Sequence, residues 1–509
     1  MPELGSMAWP VRTAITVGAV LLILALPSSR GYPGHLAAHG SAVATQPTQA
    51  MQPPQATQPT QAMQPPQATA PIQATEPPQA TPPPAAGAAG DFAAVAKLMN
   101  NAVAANRLPG AVVVIGHAGN VVFHQAFGSR KLAGEQGLDG SPAPAEPMTE
   151  DTIFDLASLT KCLATAIAVM QLYEQGKVGF DDPVQNYLPE FNAGNDPQRA
   201  GVTLRMLLTN TSGEPIDVNL GDPWGLDGPD KAEGIRRALT TPLQSGPGEV
   251  FRYSDINFLL LGALLEKITG QAEDVYVEQN VFGPLGMEDT RYLPPASLLP
   301  RIAPTALDEE NRADPSKNPD YGHLLRGTVH DPTARRMGGV AGNAGVFATA
   351  HDVSIFAQAL LDRLAGRPSK FPLQQVTLEM MTTPEQPGHS ARQLQAANDA
   401  ARRATVPSYP AINGQNLFGF GWDIDTPFSR PRGSIFPVGS FGNTGFTGTT
   451  LWLDPESDTY VILLSNAIHV RGSSPISDLR GEVATEAARG LGLYGSAPSS
   501  STPKPLRQH

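Results

Sequence analysis

Cysteine is almost missing from this chain, and the gap is informative. A single Cys162 in 509 residues excludes an internal disulfide and any CxxC metal or redox centre. It also leaves no cysteine near the N-terminus to carry a lipid, and Cys162 itself reads as a small buried hydrophobe. Positive charge is scarce as well. The formal net charge is −12, and residues 1–90 hold only Glu3, Arg12, Arg30 and Glu76, which cancel. All the net acidity therefore falls in 91–509, and an acidic domain without a basic stripe is a poor candidate for nucleic acid. No H-E-x-x-H or closely spaced histidine cluster occurs, so neither a metal nor a cofactor is expected. His323 and His330 lie in a loop-like stretch and read as surface or substrate-loop residues. The absence of a G-x-S-x-G elbow argues against an α/β-hydrolase.

Proline, by contrast, is abundant and unevenly placed. Arg12 precedes the uncharged run AITVGAVLLILALP at 14–27, followed by the small residues of SSRG. That run is shorter than the ~20 residues a membrane span needs. Residues 1–30 therefore read as an export signal, with an uncleaved membrane anchor as the alternative. The twelve residues TQPTQAMQPPQA at 45–56 recur unchanged at 57–68, and a degraded copy fills 69–80. Proline and glutamine offer no hydrophobic face to stack, so 31–90 reads as an extended, disordered stalk. A ligand for proline-binding domains is the other reading of that repeat. Residues 385–415 and the tail 496–509 look loose.

The folded part spans 91–495. DFAAVAKLMNNAVAANRL has helical spacing, and GAVVVIG and VVFHQAF flank a turn at HAGN as a hairpin. Near the other end GTTLWL and TYVILLS flank DPESD, and PISDLRGEVATEAARGLG reads as a closing helix. The two ends suggest one antiparallel sheet built from both, with a mostly helical layer inserted between them. Trp224 and Trp422 fit either a cleft lining or core packing.

The stretch DLASLTKCLATA, 155–166, opens a segment that is apolar on every face from Cys162 to Tyr173, ending at Gly176. A helix apolar all round is buried. Lys161 then sits in the first turn of a buried helix, where the dipole disfavours a cation. Spacing of three puts its ammonium beside the Ser158 hydroxyl, and desolvation is expected to lower its pKa towards that of a proton acceptor. A capping serine followed by a solvated lysine is the competing account. The same spacing recurs at Ser501 and Lys504 in the tail, so the pair alone decides nothing.

Further segments shift that balance: VTLRMLLTNTSG, PGEVFRYSDINF, VFGPLGMEDT, GGVAGNAGVFATAHDV and FGNTGFTGTTLWLDP follow FDLASLTK in order. Together they resemble the serine β-lactamase and penicillin-binding protein superfamily, in its class C β-lactamase, D-alanyl-D-alanine carboxypeptidase and esterase branch. The resemblance implies an α/β (α+β) β-lactamase-like fold, with an antiparallel sheet flanked by terminal helices and a mostly helical inserted region. It implies Ser158 as nucleophile, Lys161 and Tyr253 as proton partners, and the amides of Ser158 and Phe446 as an oxyanion hole. Asp255, Asn443, Thr444, Gly445 and Phe446 become expected substrate contacts. Three asparagines depart from the pattern: Asn443 stands where relatives carry Lys or His, and Asn210 and Asn343 replace expected histidines. Asp255 stands where many have Asn. The expected pocket is thus less cationic, favouring an ester or uncharged amide over a β-lactam or D-Ala-D-Ala. Two outcomes stay open: an exported hydrolase of small or cell-wall-derived substrates, or a binding and sensing domain that has lost turnover.

Overall fold

The computed structural model describes residues 90–469 and 475–496. The expected signal, the repeat stalk and the tail after Ser496 lie outside the described residues.

The sheet is built from the two ends of the domain, and its first hairpin shows why. Strand β1 (Gly110–His117) and strand β2 (Asn120–Lys131) pair antiparallel. They join through Ala118 and Gly119, both at positive φ. Two such residues make the turn whose twist matches that of the flanking strands. Strand β3 (Glu146–Pro147) caps β2, and β4 (Ile153–Asp155) pairs separately with β5 (Phe347–Thr349). From the C-terminal end come β6 (Leu417–Phe418), β7 (Asp423–Asp425), β8 (Phe441–Thr444), β9 (Thr450–Asp454) and β10 (Thr459–Ser465). The order across the main sheet is β3-β2-β1-β10-β9-β8-β7-β6, every neighbour antiparallel. The central join, β1 with β10, runs from Ala111 opposite Ser465 to His117 opposite Thr459.

Side-chain alternation explains the unbroken apolar runs. Ala111, Val113 and Ile115 of β1, with Val461 and Leu463 of β10, pack under the terminal helices Ala93–Ala104 and Ser477–Gly490. Val112, Val114, Ile462 and Leu464 point the other way, into the large core of the helical region. Both faces are covered, so neither needs a polar period.

One sequence expectation fails. Within 385–415 a helix runs from Ala391 to Arg403, with Ser390 and Gln393 forming a reciprocal capping box. The segment is short of apolar residues, burying Ala397 alone. Ala, Gln and Arg are nevertheless good helix formers, and the box supplies the start that composition hides.

Candidate active site

Ser158 follows β4, and the approach to it is tightly prescribed. Ala157 has φ +46°, a left-handed conformation that costs a non-glycine residue about 1–3 kcal/mol. Several bonds hold it there. The Ala157 N–H donates to Asp155 Oδ1 (2.9 Å), and Thr447 and Thr449 donate their hydroxyls to the carbonyls of Asp155 and Leu156 (2.7 and 2.9 Å). Asp155 is fully buried; burial pushes its carboxyl up to about 6, against the His330 and Ala157 N–H groups that donate to it. After Ser158 the chain turns at once into the helix that carries Lys161. Its opening residues Lys161–Thr165 wind as a π-turn before the α-helix Ala166–Glu174. Such turns recur at functional sites. From Thr152 to Leu172 every residue is buried except Ser158, which is half-buried.

Three side chains expected together are brought together. Tyr253 Oη lies 2.7 Å from Ser158 Oγ, and Lys161 Nζ donates to the same oxygen at 3.0 Å. Among the described residues Ser158 Oγ engages these two groups and no helix N–H, so the hydroxyl is not a cap. Tyr253 arrives on the loop before the helix Asp255–Thr269, whose Ser254 cap accepts the Asn257 N–H. Asp255 follows at the first turn and contacts Lys161, with Oδ1 2.6 Å from Nζ. The third Lys161 bond runs to the main-chain carbonyl of Asn343 (2.9 Å). Gly342 makes that approach feasible, since a Cβ there would fall 2.1 Å from the Phe258 carbonyl of the facing helix.

The electrostatics differ from the sequence expectation. Burial does pull the Lys161 ammonium down, but Asp255 and Tyr253 beside it outweigh that and hold it above its ordinary value. Burial pushes the Tyr253 phenol up to about 12, with the Asp255 carboxylate adding to it. Burial also raises Asp255, against the pull of Lys161. Two further carboxylates face this group. Asp331 accepts from Asn343 Nδ2 (3.1 Å). Asp217 accepts the Thr333 hydroxyl and is pushed up to about 8 by burial, Asp331 and Asp255.

The third motif forms the opposite wall. Asn443 is 9% exposed; its Nδ2 donates to the Gly421 carbonyl (3.0 Å) and its Oδ1 accepts the Thr444 N–H (2.8 Å). Its amide is spent on the sheet. Thr444 ends β8 half-buried. A Cβ on Gly445 would meet the Leu156 carbonyl at 2.3 Å, so only glycine lets β8 press against the Ser158 loop. Phe446 is 72% exposed and stacks on His330 at 5.5 Å. Among the described residues neither the Ser158 nor the Phe446 N–H has an acceptor. Phe428, half exposed, lies 5.8 Å from the Tyr253 ring.

Other sequence candidates fall elsewhere. Asn210 Oδ1 accepts from Ser254 N–H and Asn257 Nδ2, tying its loop to the start of the Asp255 helix. Trp422 is core, against Phe441. Trp224 sits between Arg237 and Arg336. Cys162 is buried, its thiol on the Leu159 carbonyl. His323 is exposed, whereas His330 borders the site. Sequence reasoning did not single out Asp155, Thr447, Thr449 or the Asn343 carbonyl. Only the hydroxyls inside FTGTT, next to the third motif, offered a signal.

Comparison with known proteins gives the arrangement its relatives. Residues 95–476 match the family model described as Beta-lactamase. A protein of Escherichia coli (strain K12) named "Putative D-alanyl-D-alanine carboxypeptidase" is 31% identical over 372 residues, covering 70% of this chain and 77% of that one. The fold is similar to that of the octameric penicillin-binding protein homologue from Pyrococcus abyssi, with a TM-score of 0.56 and 23% identity over 79% of this chain and 78% of that one. Simvastatin synthase from Aspergillus terreus gives 0.55 and 22%, over 78% and 98%. The chain belongs to the β-lactamase family, as a serine hydrolase of the β-lactamase and DD-peptidase superfamily.

Proposed function

We propose that the chain is an exported hydrolase of esters or uncharged amides, acting through an acyl-enzyme on Ser158. The observation that carries this reading is the Ser158 hydroxyl, held between Tyr253 Oη at 2.7 Å and Lys161 Nζ at 3.0 Å. Proton partners at such distances are what general base catalysis requires. Attack by Oγ on a carbonyl would place charge on the carbonyl oxygen. The free N–H groups of Ser158 and Phe446 are the donors for it, each such donor being worth about 3–4 kcal/mol in the transition state.

The substrate side of the reading follows from the walls. Asn443 offers no cation, and Asp217, Asp255 and Asp331 gather opposite it. A carboxylate-bearing substrate would find no cation from Asn443 there, and the one ammonium beside Ser158 is already paired with Asp255. Exposed Phe446 and Phe428 favour an apolar acyl group. Small esters and cell-wall-derived amides without a free carboxylate fit best. Export rests on the 14–27 run, with 31–90 as the stalk, 91–495 as the hydrolase domain, 496–509 as a tail, and cleavage or anchoring at 1–30. Among the described residues no helix is long and apolar enough to cross a membrane.

Substrate profiling tests the reading. A nitrophenyl butyrate, a peptide amide, a D-Ala-D-Ala peptide and a penicillin are compared by kcat/KM. The ester is expected to lead, with turnover lost in Ser158→Ala. Preference for the D-Ala-D-Ala peptide would overturn the substrate assignment, and ester turnover that survives Ser158→Ala would overturn the nucleophile.

A further inference from the structure

The geometry points to Asp255 as the acceptor that draws the Ser158 proton through Tyr253, with Lys161 serving as a fixed cation and not as the base. This rests on the acyl-enzyme reading above. An ammonium has three N–H donors and no acceptor site. All three of Lys161 are committed, to Asp255 Oδ1 at 2.6 Å, the Asn343 carbonyl at 2.9 Å and Ser158 Oγ at 3.0 Å. Lys161 is 1% exposed, and with its three N–H groups engaged it has no acceptor position to turn toward the Ser158 hydroxyl.

Tyr253 has a second contact besides Ser158. Its Oη lies 3.4 Å from Asp255 Oδ1, and among the described residues Asp255 is the carboxylate bonded to it. Tyr253 is a phenol at neutral pH. It must pass on its own proton when it takes one from Ser158. Asp331 and Asp217 are the other acids facing Asp255. Asp331 raises the affinity of Asp255 for a proton, and Asp217 holds its own proton near neutral pH.

The steps balance. As Oγ bonds to the substrate carbonyl carbon, the Oγ proton moves to Tyr253 and the Tyr253 proton moves to Asp255. The carbonyl oxygen takes up the negative charge, met by the two free N–H groups of Ser158 and Phe446. On collapse the bond from carbon to the leaving group breaks. The leaving atom takes a proton from Tyr253, which recovers one from Asp255. Water repeats the sequence to release the acid.

The experiment uses the full chain and nitrophenyl butyrate, read as kcat/KM. In mixtures of H2O and D2O the wild type is expected to give a curved proton inventory, showing two protons in flight. Asp255→Asn is expected to lower kcat/KM about 100-fold at pH 7, the lower end of what a general base supplies. Its rate should then climb with pH as Lys161, freed of its counter-ion, loses its proton and takes over. A purely structural role for Asp255 would lower the rate without changing the shape of the profile. A linear wild-type inventory overturns the proposal, and it needs no variant, so a poorly folding Asp255→Asn does not obscure it. Asp255→Asn with a rate within twofold and the wild-type pH profile overturns it as well, while leaving Ser158 as nucleophile. Absence of Ser158-dependent turnover in the wild type overturns both.

Discussion

Ser158 stands between two regions of opposite character. On the sheet side, the turn after β8 meets the serine loop through the Thr447 and Thr449 hydroxyls and the bare backbone of Gly445, whose carbonyl accepts from Arg480 (2.8 Å), while the Asn443 amide turns away to Gly421. On the helical side, the Lys161 ammonium pairs with Asp255 at 2.6 Å, and Asp331 and Asp217 bear electrostatically on the same group. The sheet side fixes shape, and its contacts do not change with pH. On the proposed mechanism the helical side holds the mobile protons, in an interior where each charge is expensive and must be paired. That mechanism assigns positioning and proton transfer to different layers of the fold.

The comparison can be broken most sharply at its centre. Ser158→Ala removes the atom both sides address, and ester turnover is expected to fall by about 10⁴–10⁶-fold with the circular dichroism spectrum unchanged. Gly445→Val tests the sheet side alone. A Cβ 2.3 Å from the Leu156 carbonyl must shift the serine loop, and a misplacement of about 1 Å costs roughly 100-fold in rate. The signature is a lower kcat with an unaltered pH profile. Asn443→Lys asks whether that side can be charged. The variant loses the bonds to Gly421 and Thr444, and a loss of about 1–3 kcal/mol in thermal stability is expected, without new turnover of carboxylate-bearing peptides. A variant of native stability that gained such turnover would show that the missing cation at this position is by itself what excludes those substrates.

The smallest effect on activity is expected at Glu214, a fully buried residue of the helical region whose oxygens lack hydrogen-bond donors and lie 3.6 Å from Arg199. Burial pushes its carboxyl up to about 8, with Arg199 opposing, from an ordinary 4.5. The native state therefore holds a proton that the unfolded chain releases. Stability is full below the unfolded value and is lost as pH rises through about 8. Melting temperature should fall from pH 5 to 8, and Glu214→Gln should flatten that slope, gaining on the order of 2–4 kcal/mol at pH 8. A wild-type melting curve that rises over this range would contradict it.

How much of this was legible in the sequence divides along the same line. Hairpins and terminal helices announced the sheet, because alternation and turn residues are local signals. Lys161 at the head of an apolar helix called for a reason, but the capping account of Ser158 stayed open until the ordered segments supplied the family resemblance, which also singled out Tyr253. The Asn343 carbonyl was not, since a backbone acceptor carries no side-chain signature. The direction of the Lys161 shift stayed open in the sequence: burial of the flanking residues argues for a lowered value, while an ionised Asp255 could hold Lys161 as ammonium, and the 2.6 Å contact between the two decides for the second. The Ala391–Arg403 helix was hidden by its polarity.

The central claim is that Ser158 carries the acyl group. Intact-protein mass spectrometry of the full chain, quenched during turnover of a slowly hydrolysed nitrophenyl ester, tests it most directly. The account predicts a mass increase of one acyl group, mapped to the peptide containing Ser158 and missing in Ser158→Ala. Turnover with no adduct on that peptide, or an adduct that persists in Ser158→Ala, would contradict it.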